Sequence, residues 1–391
     1  MIPYNKPYLT GKESEYINLA LANRKLCGAG PFTKKCTDLL KSKYGFPHVL
    51  LTSSCTDALE MAAILCDIQP GDEVIMPSYT FVSTANPFVL RGAVIRFADS
   101  RPDHPGLDES KIEALISSKT KCIVAVHYAG VACDMSQIME IANRHGIKVV
   151  EDAAQAIDSF HHGKPLGTFG HLACFSFHET KNIIAGEGGM LVVNDQSLIA
   201  RSEIIWEKGT NRAAFFRGEV DKYGWVDMGS SFLPSELTAA FLLAQLENMD
   251  AIQAKRVSIW NHYYETFLKL NNFEKFKLPY VPVHASKNAH IFHIVCASDT
   301  ERDALMAFLK SKGISAVFHY QSLHSSVFFA QKHDGRELPN ADMYSGCLLR
   351  LPLYPDLSRE EQDQVIGAIL DFYNPIPNDI KKEIQPASVT H

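Results

Sequence analysis

Short apolar, β-branched runs alternate along the first half of the chain with stretches whose apolar residues recur at helical spacing. Val49-Leu-Leu-Thr52 precedes a helical stretch from about Asp57 to Leu65, a pattern that reads as a strand-to-helix unit. Further runs lie at Glu73–Met76 after a Pro70-Gly-Asp turn, then at Val94–Phe97, Cys122–Val126, Ile147–Val150, Ala173–Phe177 and Met190–Val193. About seven such strands, mostly separated by helices, predict a largely parallel sheet between helices, an α/β fold, because strands buried on both faces lose the alternation of polar and apolar positions. Sheets of this kind bind ligands beyond the carboxyl ends of their strands.

From Pro234 to about Leu270, Leu237, Ala240, Phe241, Ala244, Leu246, Met249 and Ile252 form one apolar stripe, which predicts a long linking helix. Beyond it, Ile291–Val295, a helix near Arg302–Lys312, an extended run Ile314–Tyr320 and a helix near Arg359–Tyr373 describe a smaller α+β unit. The expected division is a large α/β domain over residues 1–250, a small C-terminal α+β domain over 251–375 and a flexible tail over 376–391. A 391-residue chain with 46% hydrophobic residues suits two such units.

Charge narrows the function classes. The net charge is −6 and no run of basic residues makes a patch, so no nucleic-acid partner is expected. The opening Met1-Ile-Pro-Tyr-Asn-Lys-Pro7 lacks the apolar core of a signal peptide, and no apolar stretch approaches the roughly twenty residues that span a bilayer. The cytoplasm is the expected location, with no membrane partner. The nine cysteines include no C-x-x-C pair, so buried reduced thiols are expected rather than a zinc site or a redox dithiol. His127, His178, His290, His319 and His324 form no ligand triad and read as hydrogen-bonded structural groups, with His178 set apart by its closeness to Lys181.

The candidate chemistry lies at strand ends. Ile147–Val150 delivers Asp152 to one strand end, and Ala173–Phe177 delivers Lys181 to a loop beyond another, just ahead of the turn Gly186-Glu-Gly-Gly189. An amine and a carboxylate facing one pocket are what Schiff-base chemistry on pyridoxal 5'-phosphate requires, since the carboxylate keeps the pyridine nitrogen protonated. Ser53-Ser-Cys-Thr-Asp57, directly before a helical pattern, offers amides and hydroxyls to a phosphate, although the same residue types are ordinary helix caps. Phe81, in Tyr79-Thr-Phe81, reads either as a stacking partner for a pyridine ring or as core. Taken singly, Asp152 is equally a helix cap and Lys181 a surface lysine; their joint placement favours the chemical reading.

Glu151-Asp-Ala-Ala-Gln155, Phe175-Ser-Phe-His-Glu-Thr-Lys-Asn182, Gly186–Gly189 and Ser53–Thr56 resemble the sugar-nucleotide aminotransferase family of fold-type I pyridoxal phosphate enzymes, over about residues 3 to 374. Leu26–Gly30, Pro77–Asn86, Glu207–Arg212, Phe216–Tyr223 and Asp227–Ser231 look like the part of that family serving dTDP-linked 4-keto-6-deoxy sugars. The resemblance implies that Lys181 carries the cofactor as a Schiff base and that Asp152 partners the pyridine nitrogen. It places Gln155 at the ring hydroxyl and Phe81 on the ring face. Cys55, through its backbone N–H because many relatives have Gly there, Thr56 and the Ser176 hydroxyl would hold the phosphate. Ser231 aligns with an asparagine that, in many relatives, reaches the phosphate from the second subunit, so a homodimer with shared active sites is implied.

The same resemblance implies L-glutamate as amino donor, a dTDP-linked 4-keto-6-deoxy sugar as acceptor, and a surface polysaccharide such as enterobacterial common antigen as destination. Sugar contacts are expected from Leu26–Pro31, residues 207–225 and His319-Tyr320. A lysine at 181 separates the chain from relatives that carry histidine there and act as dehydratases. Another 4-keto or 3-keto nucleotide sugar is the alternative acceptor. An aldolase using Lys181 alone would leave Asp152 and the phosphate loop without a task. A non-catalytic cofactor-binding regulator would be expected to carry a partner-binding or DNA-binding extension.

Overall fold

Each apolar run in the first half becomes a strand, and all but the edge strand that begins at the exposed Val94 are largely buried. The computed structural model describes residues 1–270 and 275–374, so the expected tail over 376–391 lies outside the described residues. The strands are β1 (Val49–Thr52), β2 (Glu73–Pro77), β3 (Val94–Ala98), β4 (Thr120–Val126), β5 (Lys148–Asp152), the small hairpin β6 (Phe160–His161) and β7 (Lys164–Pro165), β8 (Leu172–Ser176) and β9 (Gly189–Val193). Seven of them form one sheet in the order β1-β9-β8-β5-β4-β2-β3. Every pairing from β8 through β5, β4 and β2 to β3 is parallel, whereas β9 runs antiparallel to both β1 and β8. The reversal follows from the β8–β9 connection, which carries the Lys181 loop where a parallel pair would need a crossover helix.

Helices cover both faces: α1 (Glu13–Ala22), α2 (Pro31–Tyr44), α3 (Cys55–Leu65), α4 (Val82–Leu90), α5 (Met135–His145), α6 (Ile199–Trp206), α7 (Arg212–Phe216) and α8 (Glu236–Glu247). The strand period of two sorts the core between them. Leu51, Ile75, Ile123 and Val149 pack with Leu40 of α2, Ile138 of α5 and Leu242 of α8. Their neighbours Leu50, Val74, Met76, Val124 and Val150 pack with Leu59 of α3 and Phe88 of α4 on the opposite face.

The predicted helix over Pro234–Leu270 is two helices, α8 and α9 (Met249–Lys269), which meet at Asn248. The Asn248 side chain donates to the Ala244 carbonyl at 2.9 Å, and its backbone leaves the helical region at φ −106°, ψ 11°. Local side-chain bonding of this kind competes with helix continuation. The second sheet is β10 (Phe276–Lys277), β11 (Phe292–Cys296) and β12 (Leu348–Leu351), antiparallel and in chain order. It is backed by α10 (Asp299–Ser311), and α12 (Arg359–Tyr373) closes the same core, after α11 (Pro339–Cys347). The expected extended run Ile314–Tyr320 is held by isolated bridges alone, Ile2 to Ile314 and Val317 to Arg350. Ile2 is buried in this second core, so the start of the chain packs against the C-terminal sheet.

All nine cysteines are free, and all but Cys27 are buried. No helix among the described residues is long and apolar enough to cross a membrane.

Candidate active site

The carboxyl ends of β2, β4, β5 and β8 open into a cavity of about 750 Å³, a size suited to a cofactor with its substrate. Cys55, Thr56 and Phe81 line one part of it, Asp152, Gln155, Ser176 and Lys181 another. His290, His319, Tyr320 and Arg350 close it from the side of the second sheet, together with Tyr4. Seven of the eight residues read from the sequence therefore meet in one place. Ser231 does not line this cavity; it is exposed and its backbone bridges to Glu207.

The phosphate end is built by α3. The Ser54 hydroxyl caps the helix by accepting from the Asp57 N–H at 3.0 Å. The Cys55 and Thr56 amides stand in the first turn, where an α-helix offers no acceptor of its own. Gly189 lies directly against this turn: a Cβ there would come within 2.5 Å of the Cys55 nitrogen and the Ser54 carbonyl carbon, so only glycine lets β9 pass. Burial pushes the Cys55 thiol well above its ordinary pKa, so it stays protonated and its N–H is the useful group. The Thr56 hydroxyl donates to Ser83 at 2.9 Å.

Asp152 closes β5. It accepts from the Thr84 hydroxyl at 2.7 Å and from the Ala154 N–H at 3.2 Å. Burial raises its pKa, and these hydrogen bonds and the nearby Lys181 only partly oppose that. No cation hydrogen-bonds to it among the described residues, which leaves a buried carboxylate aimed into the cavity and lacking a partner such as a protonated ring nitrogen. Burial also lowers the pKa of the Lys181 amine, against the pull of the Asp152 carboxylate. The neutral, nucleophilic form is thereby made accessible.

Gln155 is held at both ends: Oε1 accepts from the Ala129 N–H at 2.6 Å and Nε2 donates to the Tyr320 hydroxyl at 2.7 Å. Phe81 is 55% exposed at the N-terminus of α4, which removes the core reading and leaves an aromatic face on the cavity. His178 lines the cavity, with Nδ1 2.9 Å from the Thr180 hydroxyl. The other four histidines are hydrogen-bonded within the chain, His127 to Glu151, His290 to Asn182, His319 to Tyr128 and His324 to Ser78.

Among the lining residues that escaped the sequence reading, Thr84, Tyr4 and Arg350 shape the site. Thr84 of α4 orients Asp152 and is itself bonded at 2.8 Å to Thr80, which precedes the helix, an i, i+4 pair visible as Thr80-x-x-x-Thr84. Tyr4 and Arg350 meet across almost the whole chain, and no local pattern announces them.

The adjacent acids divide their tasks, as neighbours on a strand point to opposite faces. Glu151 is fully buried, and its carboxylate accepts from the N–H groups of Gly167, Phe169 and Gly170 and bonds His127 at 3.0 Å. Burial works to raise its pKa, but the bonds to His127 and to the Gly170 and Gly167 amides outweigh it and hold the carboxyl below the ordinary 4.5. Its contribution to stability is thus complete above pH 4.5 and is lost as pH falls below that value toward the depressed one. Glu151→Gln sets an amide against backbone donors and is expected to cost about 3 kcal/mol, read as a lower unfolding midpoint at neutral pH and a flatter acid limb. An unchanged midpoint would refute this structural role.

Fold and cavity together define a fold-type I aminotransferase. Residues 7–370 match the DegT/DnrJ/EryC1/StrS aminotransferase family, and the chain belongs to it. Aminotransferases of this family depend on pyridoxal 5'-phosphate. Among similar solved structures, the aminotransferase TlmJ from Streptoalloteichus hindustanus is 27% identical with a TM-score of 0.87, covering 95% of this chain and 99% of its own. An aminotransferase of the same family from Brucella abortus is 29% identical with a TM-score of 0.84, covering 93% and 95%. DesV from S. venezuelae, solved with a ketimine intermediate, is 27% identical with a TM-score of 0.87, covering 96% and 99%. The buried acid, the buried amine and the first-turn amides fit the cofactor's pyridine nitrogen, aldehyde and phosphate respectively.

Proposed function

We propose that this sugar aminotransferase moves the amino group of L-glutamate to C4 of dTDP-4-dehydro-6-deoxy-D-glucose, giving dTDP-4-amino-4,6-dideoxy-D-galactose and 2-oxoglutarate. The transfer is supported above all by the Lys181 amine and the cationless Asp152 carboxylate sharing one buried cavity. The choice of acceptor is supported by Leu26–Gly30, Pro77–Asn86, Glu207–Arg212, Phe216–Tyr223 and Asp227–Ser231, which resemble dTDP-4-amino-4,6-dideoxygalactose transaminase.

When bound, pyridoxal 5'-phosphate supplies a carbonyl that condenses with amines and a ring that takes up the charge of a deprotonated carbon. Asp152 holds the ring nitrogen's proton, which a buried ionised carboxylate does well once a cation faces it. Phe81 covers a ring face, Gln155 faces the ring hydroxyl, and the Cys55 and Thr56 amides with the Ser176 hydroxyl receive the phosphate. Lys181 takes the α-proton of the donor as a neutral amine, and in the second half of the cycle it handles the proton at C4 of the sugar.

We place Ser231 at the phosphate of a partner subunit. Exposed apolar side chains on the same stretch, Trp225 at 84% and Phe216 at 68%, suit a face covered by a second copy. Sedimentation of the loaded enzyme should then give the mass of two 43.5 kDa chains, and a monomer would remove the shared site. A surface polysaccharide such as enterobacterial common antigen is the proposed destination of the product. The deciding experiment incubates the enzyme with L-glutamate and a panel of 3-keto and 4-keto nucleotide sugars and assigns the products by mass and NMR. Amination of the dTDP-linked 4-keto sugar with the galacto configuration is expected. A gluco product, or faster turnover of a 3-keto sugar, would sink the acceptor assignment, and no turnover on any of them would leave a binding protein.

A further inference from the structure

Directly after Lys181 begins a buried polar network that the chemistry above leaves without a task. The Asn182 side chain, 4% exposed, donates through Nδ2 to Oε1 of Gln253 on α9 and to the Asn288 carbonyl, both at 2.8 Å. A main-chain carbonyl can only accept, so the amide is fixed with its oxygen turned to His290, whose Nδ1 lies 2.9 Å away. That oxygen can only accept in its turn. His290 Nδ1 therefore carries the ring proton, and Nε2 is left with a lone pair.

The imidazole is also held from behind. Its backbone N–H donates to Asn288 Oδ1 at 3.0 Å, and Asn288 Nδ2 donates to the Gln155 and Ile157 carbonyls at 2.7 and 2.8 Å. Gly130, at φ 76°, makes room for this, since a Cβ there would collide with the Asn288 amide. Ala289, just before His290, sits at φ 52°, a conformation costly for any residue with a side chain. The buried Arg256 guanidinium holds that bend by donating to the Ala289 and His290 carbonyls at 3.1 and 2.6 Å. His290 itself is 5% exposed and lines the cavity, and its Nε2 makes no hydrogen bond among the described residues. Burial, then the charges of Lys181, Arg256 and Arg350, push its pKa well below the ordinary 6.5, so the lone pair persists at neutral pH.

The Lys181 amine lines the same cavity and has no hydrogen-bond partner among the described residues either. Around it stand the Asp152 carboxylate, the protonated Cys55 thiol, the Arg350 guanidinium, the Tyr320 hydroxyl and the His290 and His319 rings. Asp152 already accepts from Thr84 and Ala154. Among these groups, His290 is the one whose free nitrogen is fixed as an acceptor. We propose that His290 is a positioning residue for Lys181: its Nε2 accepts a hydrogen bond from the Lys181 amine and holds the ammonium form in place from the moment it takes the donor's α-proton until it delivers that proton. The proton itself stays on Lys181 throughout. This rests on the reading of the cavity as a transamination site.

Competitive acetylation of the full-length, cofactor-free chain across pH, read at Lys181 by peptide mass spectrometry, gives the pKa of that amine without any turnover. A hydrogen bond to the charged form raises a pKa. His290→Asn can still bond Asn182 but offers nothing at the Nε2 position, and it is expected to lower the Lys181 pKa by about one unit. His290→Gln, whose amide oxygen reaches that position, is expected to stay within about half a unit of wild type. In the loaded enzyme, single-turnover release of 2-oxoglutarate from L-glutamate needs the neutral amine, so its acid limb should move to lower pH by the same amount in His290→Asn. An unchanged Lys181 pKa and acid limb in His290→Asn, with or without a lowered melt, would make His290 a structural residue and overturn the proposal. If His290→Asn does not fold, Lys181→Ala decides: the spectrum of the 15N-histidine-labelled chain should contain an Nδ1-protonated imidazole whose Nε2 signal shifts when the amine is removed, and no such shift counts against. Neither measurement involves a sugar, so the proposal stands or falls apart from the acceptor assignment. Wild type that releases no 2-oxoglutarate would sink the transamination reading, and this proposal with it.

Discussion

Lys181→Ala is expected to lose a hundredfold to ten-thousandfold in turnover with L-glutamate and a keto sugar, the range over which positioned proton transfer contributes, and to keep its fold. The two halves follow from separate observations. The amine sits in the cavity with its pKa lowered by burial, which makes its neutral, proton-accepting form easier to reach. The backbone of the loop is fixed independently, by the Lys181 N–H donating to the His178 carbonyl at 2.9 Å, the Glu179 N–H to the Gly186 carbonyl at 2.9 Å and the Ala185 N–H to Phe177. Truncating the side chain removes none of these bonds. Steady-state turnover beside a circular-dichroism melt checks both halves; retained turnover, or a melt lowered as far as turnover, would contradict the assignment.

Asp152→Asn is expected to cost about a hundredfold to a thousandfold in turnover, the scale of removing one preorganised electrostatic group, without lowering the stability of the cofactor-free chain. The raised pKa means that the ionised carboxylate opposes folding: a carboxyl with a folded pKa above its unfolded one contributes stability at low pH and loses it as pH rises. An amide carries no such penalty. Its oxygen can still accept from Ala154, and Thr84, which has Thr80 as a second partner, can turn to accept from the new NH2 group. A function-bearing residue is thus identified by turnover falling while the apo melt holds or rises. A melt that drops by several degrees would make Asp152 a structural residue like Glu151.

That contrast shows what was legible in the sequence. Most of the large-sheet strands were, because their centres are buried on both faces and read as apolar runs, and the strand ends brought Asp152 and Lys181 with them. The reversed β9 was not, since an apolar run is the same in either direction and only the short connection through Lys181 decides its sense. The stripe over Pro234–Leu270 continued unbroken through Asn248, whose helix-ending bond to Ala244 lies within the stripe and leaves its period intact. Glu151 and Asp152 looked like one acidic pair until the pleat sent them to opposite faces. Arg350 and Tyr4 were out of reach because their contact joins the two ends of the fold. Ser231 was found by alignment to a residue that acts across subunits, and in a single chain it stays outside the cavity.

The central claim is that Lys181 bears the cofactor. Borohydride reduction of the loaded enzyme, followed by proteolysis and mass spectrometry of the peptides, tests it most directly. One pyridoxyl adduct is expected, on Lys181 in Phe175–Asn182, with loss of the visible absorbance band. An adduct on any other lysine, or none, would contradict the claim.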